Sequence, residues 1–248
     1  MTDDDALPLI GAEGLVYNYP GQSQPALDGV DVRLGRGQAV GLLGPNGSGK
    51  STLINLLIGL RTPQGGRVTR TGDHAPVVAW VPQEYAFYPE LTCRENLRLF
   101  ARMLCMPPDE TNRRVQDALE RCMLHEFADR RARHCSGGVR RRLNLGIALL
   151  QKPDVLLLDE PTAGVDPQSR AFLLEHVREL VHAGTAVLYA THYMEEVSAV
   201  CSRILLLDHG RVLANGGLAT LLAGPEGGTP YPNLEALFVH YTRRSLRD

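Results

Sequence analysis

A glycine-rich segment, GPNGSGKS at 44–51, contains residue types that are suited to holding phosphate groups. It lies between the apolar run AVGLL at 39–43 and a helical pattern, which is the strand–loop–helix context that such a loop requires. Its glycines allow successive backbone N–H groups to point at phosphate oxygens, and the following helix start adds a positive dipole end. Lys50 supplies a compact positive charge, and the Ser51 hydroxyl suits Mg²⁺.

This segment therefore predicts a nucleotide-binding P-loop. A glycine-rich turn without a ligand is the alternative, and the strand–loop–helix context disfavours it. The nucleotide-binding residues that the segment predicts are Gly44, Pro45, Asn46, Gly47, Ser48, Gly49, Lys50, Ser51 and Thr52.

Two carboxylates end a second apolar run, VLLLDE at 155–160. Ligands of a doubly wound sheet bind at the carboxyl ends of its strands, which would place both carboxylates beside the P-loop. There Asp159 would hold Mg²⁺, and Glu160 would polarise the attacking water as general base. Such residues also cap turns, so the assignment of this pair to a catalytic site depends on the presence of the P-loop.

Two further polar residues follow apolar runs. Gln83 comes after VVAWV at 77–81, and His192 comes after TAVLYAT at 185–191. Both would lie near the phosphate site. A lone histidine after a strand is more often structural than catalytic, so its position alone does not assign it a role.

The stretch HCSGGVRRRLN at 134–144 permits three interpretations: a nucleic-acid patch, a capped helix, or half of an active site. The chain has 26 Lys and Arg against 28 Asp and Glu, a balance that argues against wholesale binding to a polyanion. We therefore expect the arginines 140–142 to form a solvated, partly salt-bridged helix face, with DNA contact as the disfavoured alternative.

The composition bounds the class of protein. A chain of 248 residues, 44% of them hydrophobic, suits one large globular domain or one domain with an insertion. Five cysteines without a CxxC pair indicate reduced, mostly buried thiols in a cytosolic protein, rather than a metal site. We expect neither a signal peptide nor a membrane span, because the N-terminal segment is acidic and the apolar runs are only strand-length. Any membrane part would then belong to another chain.

Alternating strand and helix patterns predict an α/β fold with a largely parallel sheet. Buried strands are predicted at 39–43, 77–81, 155–159, 185–191 and 203–208, and more exposed antiparallel strands at 15–19, 30–34 and 66–70.

Between Gln83 and Gln151 the pattern predicts only helices. Thr92 and Glu95 form a capping box, followed at helical spacing by Leu97, Phe100, Met103 and Leu104. Asp109 is predicted to cap a second helix, whose apolar face would consist of Val115, Ala118, Leu119, Cys122 and Met123. A last helix is predicted within 233–248.

The order of these motifs resembles the ATPase subunit of ABC transporters. The motifs that carry the resemblance are the P-loop at 44–51, Gln83, SGG at 136–138, VLLLDEP at 155–161, GVD at 164–166 and His192. The resemblance implies a P-loop NTPase (RecA-like) core with an N-terminal antiparallel β subdomain and an inserted α-helical subdomain. It places an ABC ATPase domain at 1–225, with the insertion at about 84–150, and a C-terminal helical tail at 226–248.

The same resemblance implies roles for individual residues. Tyr19 would stack on adenine, with Tyr17 as the alternative, and Gln83 would sense Mg²⁺ and a membrane partner. His192 would contact the γ-phosphate, and Asp166 would lie at a dimer seam. ATP and Mg²⁺ are the implied cofactors.

The stretch at 134–144 is explained by the resemblance as well. CSGGV is similar to the family's signature LSGGQ, so Ser136, Gly137 and Gly138 would contact ATP bound to a second subunit. The sequence departs from that signature at Cys135 and Val139. The intact SGG core still predicts activity.

The resemblance also implies partners. They are transmembrane permease subunits and a second ATPase subunit in a homodimer, with no nucleic acid, at the cytoplasmic face of the inner (cell) membrane. The segments 82–100, 140–150 and 191–201 are similar to the branch that drives export. An importer ATPase, a soluble ABC ATPase acting on nucleic acid or ribosomes, and a simple P-loop kinase or GTPase are the alternatives. The last does not explain SGG and His192.

Overall fold

The computed structural model describes residues 8–72, 74–225 and 229–242. Its strands are β1 (Ile10–Tyr17), β2 (Leu27–Leu34), β3 (Ala39–Leu43), β4 (Gly65–Arg70), β5 (Val78–Val81), β6 (Val155–Asp159), β7 (Ala186–Thr191), β8 (Arg203–Asp208) and β9 (Arg211–Gly217). Its α-helices are α1 (Lys50–Leu57), α2 (Cys93–Met103), α3 (Pro108–Arg121), α4 (Gly137–Leu149), α5 (Pro167–His182), α6 (Met194–Val200), α7 (Leu218–Ala223) and α8 (Leu234–Thr242).

A six-stranded sheet forms the centre of the fold, in the order β5-β6-β7-β3-β8-β9. Its first five strands are parallel, and β9 is antiparallel to β8. Every residue of β3, β6 and β7 is buried, as expected for parallel strands covered on both faces. The segments after β3, β5, β6 and β7 therefore meet at one edge of the sheet, which is where ligands bind in such folds.

A smaller antiparallel sheet, β2-β1-β4, is built from the N-terminal strands. The strand predicted at 15–19 starts earlier, at Ile10, and ends at Tyr17. It is also more buried than predicted, because β1 is the central strand of this sheet. Its apolar side chains share a core cluster with α1 and with one face of the large sheet.

The helices α2, α3 and α4 follow one another between β5 and β6, as the pattern of the segment predicts. The capping box of α2 is present: the Thr92 side chain accepts the Glu95 N–H, and the Glu95 side chain accepts the Thr92 N–H. The predicted cap of α3 is wrong, because the helix begins at Pro108 after Pro107 and Asp109 lies in its first turn. Proline suits a first helical position because its missing N–H would have no partner there.

The predicted apolar faces of these two helices extend too far. Met103 ends α2 and is 62% exposed, and Leu104 beyond it is 38% exposed. Met123 follows the end of α3 with a φ of 50° and is 61% exposed. Leu104 and Met123 lie beyond the ends of their helices, where the helical period does not continue, and Met103 is the last residue of α2.

The arginines 140–142 do not form a solvated helix face, and that prediction is wrong. The helix α4 that carries them packs against α2, α3, α5 and β5. Arg141 is only 6% exposed, and its guanidinium donates to the backbone carbonyls of Gln83 and Ala163. Arg142 donates to the carbonyl of Met123. Carbonyl groups of neighbouring loops thus replace the predicted salt bridges.

The last described helix, α8, packs against α6, α7 and β9. The Asn233 side chain accepts the Ala236 N–H at its start, and Leu237 and Phe238 are buried in the core cluster. Residues 243–248 of the predicted helix lie outside the described residues. Among the helices that the structure describes, none has the length and apolar character needed to cross a bilayer.

Candidate active site

The P-loop leaves the carboxyl end of the central strand β3 and leads into α1. Gly49 precedes this helix with a φ of 110°, a conformation that glycine adopts without strain, and no side chain caps the helix start. The first N–H groups of a helix have no partner within it. An anion such as a phosphate fits the uncapped start of α1, because both the N–H donors and the helix dipole favour negative charge.

Lys50 is held inside the loop. Its ammonium donates to the carbonyl oxygens of Gly44 and Pro45, at 2.8 and 3.1 Å. Burial lowers the pKa of Lys50, and the attraction of Glu160 and Asp159 partly opposes that shift. A buried cation that is held mainly by neutral carbonyls would be stabilised by the negative charge of a phosphate.

Asp159 ends β6 and lies beside the start of α1. Its carboxylate hydrogen-bonds with the Ser51 hydroxyl, and it is 4% exposed. Burial raises the pKa of Asp159, whereas the Ser51 hydrogen bond and the Lys50 charge act in the opposite direction. A hydroxyl and a carboxylate are oxygen ligands of the kind that Mg²⁺ prefers, so these two residues fit that ion.

Glu160 follows directly, with a φ of 47°. A bulky residue in this left-handed region carries a strain of about 1–3 kcal/mol and persists only where its surroundings hold it. Here its N–H donates to the Ala190 carbonyl at 2.9 Å, and its Oε1 lies 2.9 Å from His192 Nδ1. The structure thus brings the acidic residue of one strand end and the histidine of the next into direct contact.

These groups line one cavity of about 610 Å³. The predicted residues that line it are Tyr19, Asn46, Gly47, Gly49, Lys50, Ser51, Thr52, Gln83, Asp159, Glu160 and His192. Gly44, Pro45 and Ser48 belong to the loop but do not line the cavity.

Sequence reasoning missed the other lining residues. They are Gln22, Gln24, Pro25 and Ala26 between β1 and β2, and His209 and Gly210 in the turn between β8 and β9. The two segments approach each other because the Gly210 carbonyl accepts the Asp28 N–H at 2.8 Å. The only sequence signal for the first segment is its closeness to Tyr19.

The geometry distinguishes the two candidate tyrosines. Tyr17 is 8% exposed, and its hydroxyl accepts a hydrogen bond from Arg61 at 2.8 Å. Tyr19 is half-buried and lines the cavity, with its hydroxyl 3.2 Å from Thr52 Oγ1 in the first turn of α1. Arg61 lies over both rings, 4.8 Å from the centroid of Tyr19 and 5.6 Å from that of Tyr17. Of the two tyrosines, Tyr19 lines the cavity and Tyr17 does not.

The SGG segment lies outside this cavity. Ser136 is exposed and caps α4, accepting the Val139 N–H at 3.3 Å. Asp166 caps α5 in the same way and accepts both the N–H and the hydroxyl of Ser169 at 2.9 and 2.7 Å. Both hydrogen bonds from Ser169 lower the pKa of Asp166.

The two capped helix starts are neighbours. A Cβ placed on Gly137 would lie 3.3 Å from the Gly164 carbonyl, and one on Gly138 would lie 3.1 Å from Asp166 Oδ2. Residues 136–138 and Asp166 therefore share one surface, which we call the signature surface. The structure brings the other predicted site residues together in or next to the cavity, with Gly44, Pro45 and Ser48 in the loop behind its wall, and leaves the signature surface outside it.

A P-loop on the central strand, an acidic pair on a nearby strand end and an uncapped helix start define a nucleotide-hydrolysing protein of the P-loop class. The model of the ABC transporter family matches residues 27–163, more than half of the chain. The chain belongs to the ABC transporter family.

Known proteins agree with this assignment. The linearmycin resistance ATP-binding protein LnrL of Bacillus subtilis is 41% identical over 229 residues, which cover 89% of this chain and 73% of that protein. The Nod factor export ATP-binding protein I of Ralstonia nicotianae is 38% identical over 217 residues, covering 84% and 67%.

Solved structures show the same fold. An ATP-binding subunit of an ABC transporter superposes with a TM-score of 0.83 at 30% identity, covering 94% of this chain and 99% of that one. A dimeric ATP-binding cassette in a post-hydrolysis state, bound to ADP and Pi, has a TM-score of 0.74 at 26% identity, covering 84% and 98%. The predicted P-loop NTPase fold class and the predicted ATPase activity are confirmed.

Proposed function

We propose that this chain is the ATP-hydrolysing subunit of a membrane exporter, and that ATP joins two copies head to tail. The observation that carries the proposal is the separation of the signature surface from the cavity within one chain. A helix start with an exposed serine hydroxyl and two glycines suits a γ-phosphate, but these residues do not line the cavity of their own subunit. A two-fold arrangement lets each subunit complete the site of the other.

Within the loop at 44–52, backbone N–H groups that face the cavity hold the phosphates, and Lys50 offsets part of their negative charge. Tyr19 stacks on the adenine, a role supported by its position in the cavity wall. Ser51, Asp159 and Gln83 would hold Mg²⁺, and Ser51 and Asp159 are already hydrogen-bonded to each other. The ion would supply positive charge that stabilises the phosphate oxygens.

Glu160 is the general base of the reaction. A carboxylate at this strand end accepts the proton of the attacking water, and its contact with His192 fixes its orientation. His192 contacts the γ-phosphate from the same position. Asp166 lies at the dimer seam together with Ser136, Gly137 and Gly138 of the partner-facing signature surface.

A second depression on the surface offers a binding site for a membrane partner. It has a volume of about 360 Å³ and lies between the end of β5 and the helices α2 and α4. Its lining includes Trp80, Phe100, Met103 and Leu104, of which Met103 and Leu104 are exposed. We infer that a short helix of a transmembrane permease subunit binds here. The chain would then reside at the cytoplasmic face of the inner membrane without entering it.

The direction of transport rests on the relatives. One is named for Nod factor export and another for linearmycin resistance, and both names fit a subunit that drives export.

The proposed division of the chain is an ABC ATPase domain at 1–225, with its helical insertion at about 84–150, and a helical tail at 226–248. The helices α2 to α4 support the insertion. We propose a homodimer that binds no nucleic acid.

Light scattering on purified Glu160→Gln protein tests this function. Because the variant keeps the phosphate-binding groups but lacks the base, ATP should remain bound and the measured mass should double from 27.2 kDa when MgATP is added. The double variant Glu160→Gln, Ser136→Arg is the matched control, since a large cation on the signature surface blocks the approach of a partner's γ-phosphate. A control variant that dimerises as well as Glu160→Gln would contradict the head-to-tail arrangement.

A further inference from the structure

A fully buried carboxylate lies behind the active site. Glu196 on α6 is 1% exposed and does not line the cavity. Three hydroxyl groups donate hydrogen bonds to it: Thr162 Oγ1 at 2.7 Å to Oε1, and the Tyr189 hydroxyl at 2.9 Å and Thr191 Oγ1 at 3.3 Å to Oε2. Arg170 forms an ion pair with it, with Nε 2.6 Å from Oε1.

Such a group is costly to bury without compensation, because an ionised carboxylate loses its hydration. The Arg170 charge and three hydroxyl donors compensate this loss. Burial and the neighbouring Glu196 raise the pKa of Tyr189 well above its usual range, so its hydroxyl remains a donor. The carboxylate is therefore fixed in place by partners from four different positions in the chain.

Thr191 connects this carboxylate to the active site. Its Oγ1 lies 3.3 Å from Glu196 Oε2 and 3.4 Å from Glu160 Oε2, and it accepts the Tyr193 N–H at 3.1 Å. The hydroxyl has one proton for two carboxylates. That proton is shared between the two carboxylate oxygens as a bifurcated hydrogen bond, so Thr191 links Glu196 to Glu160.

The two oxygens of Glu160 are thus held by consecutive residues. Thr191 contacts Oε2, and His192 contacts Oε1 at 2.9 Å. The partners of Glu196 also reach the signature surface. Arg170 lies on α5 next to Ser169, whose hydroxyl a Cβ on Gly138 would overlap.

We propose that Glu196 is a positioning residue for the hydrolysis of ATP. Through the Thr191 hydroxyl it fixes the carboxylate of Glu160, and through its ion pair with Arg170 it connects this arrangement to α5, which Asp166 caps. The inference rests on the proposed role of Glu160 as general base. Glu196 itself touches neither the nucleotide nor the attacking water.

Steady-state kinetics on Glu196→Gln test the proposal. The amide keeps the size of the side chain but removes the charge that holds Arg170, so Thr191 and Glu160 lose their fixed geometry. We expect kcat to fall about ten- to a hundredfold, because small displacements of catalytic groups have effects of that size. The dissociation constant of ATP should stay within about twofold, since the phosphate-binding groups are unchanged. A purely structural role would not separate these two quantities.

Glu195→Gln is the matched control. Glu195 is the neighbouring glutamate, its side chain is 93% exposed, and it lies 4.0 Å from the same Arg170. Its loss should leave kcat unchanged. Thr191→Val should reproduce the loss of kcat, and Thr191→Ser should restore it, because serine keeps the hydroxyl. Thermal unfolding would show whether Glu196→Gln folds. If it does not, the two Thr191 variants test the link between Glu196 and Glu160 in its place.

A double-mutant cycle separates this inference from the proposed function. In a Glu160→Gln background, Glu196→Gln should cause little further loss of the residual turnover, since both changes disable the same base. Additive losses, or a folded Glu196→Gln or Thr191→Val protein with normal kcat, would overturn the inference alone. Normal turnover in Glu160→Gln would instead overturn the general-base assignment on which it rests.

Discussion

Gly138 lies in the first turn of α4 at a point where no side chain fits. A Cβ on this residue would overlap Ser169 Oγ and would lie 2.7 Å from Ser169 Cβ. Ser169 cannot turn away without loss, because its N–H and its hydroxyl both bind Asp166. The substitution Gly138→Ala should therefore separate the start of α4 from the start of α5.

The structure sets the size of the effect. Relieving the overlap requires a shift of about 1 Å, and overpacking of this kind costs about 1–3 kcal/mol. Alanine recovers up to about 1 kcal/mol through its better helix propensity. We expect Gly138→Ala to lower the free energy of unfolding by about 1–2 kcal/mol. Turnover should fall about a hundredfold, because a shift of 1 Å misplaces Ser136 on the signature surface.

Urea unfolding, ATP binding and turnover measure these effects together. ATP binding to the isolated subunit should not change, because the P-loop is not displaced. Gly146→Ala on the same helix is the control, since its Cβ would lie 3.3 Å from the Cys122 sulfur and only a slight adjustment is needed. If Gly138→Ala proved as stable and as active as Gly146→Ala, the reasoning would be refuted.

Four other predictions follow from the site and the core. Lys50→Ala should weaken ATP binding about 10- to 100-fold, as measured by titration, because a charge-assisted hydrogen bond to the phosphates is lost. Glu160→Gln should keep ATP bound while turnover falls about a hundredfold or more, and normal phosphate release would refute its role. Tyr19→Ala should weaken binding of ATP about tenfold but not that of inorganic tripolyphosphate, because a stacking contact to the base is lost; Tyr17→Phe should change neither. Burial lowers the pKa of His176, so the unfolded chain takes up the proton first and stability should fall as the pH drops below 6.5. His176→Phe should reduce this loss, as acid-side urea unfolding would show.

The strands that match the prediction to the residue are those at 39–43, 155–159 and 203–208. Each is a short apolar run between clear breaks, and the parallel sheet buries both of its faces, so local sequence determines its extent. The capping box of α2 is equally local. The predictions that were wrong concern features that long-range packing determines, such as the surroundings of the arginines 140–142. The carbonyls that bind Arg141 belong to residues 58 and 22 positions away, and no helical pattern contains that information.

The candidate site shows the same division. The P-loop and the Asp159–Glu160 pair are contiguous motifs, so their chemistry is visible in the sequence. The cavity wall at 22–26 and 209–210 forms only where the small sheet meets the turn between β8 and β9. Glu196 is also invisible in sequence, because a glutamate in a surface-like helical segment gives no sign of its burial.

Turnover of mixed subunits tests the central claim, that two copies complete each other's sites, most directly. Ser136→Arg and Lys50→Ala proteins should each be inactive alone. In a mixed dimer both lesions fall on one composite site and leave the other intact, so an equimolar mixture should regain about a quarter of wild-type turnover if sites act independently. A mixture in which cross-linking shows mixed dimers, yet which stays as inactive as either variant alone, would contradict the account.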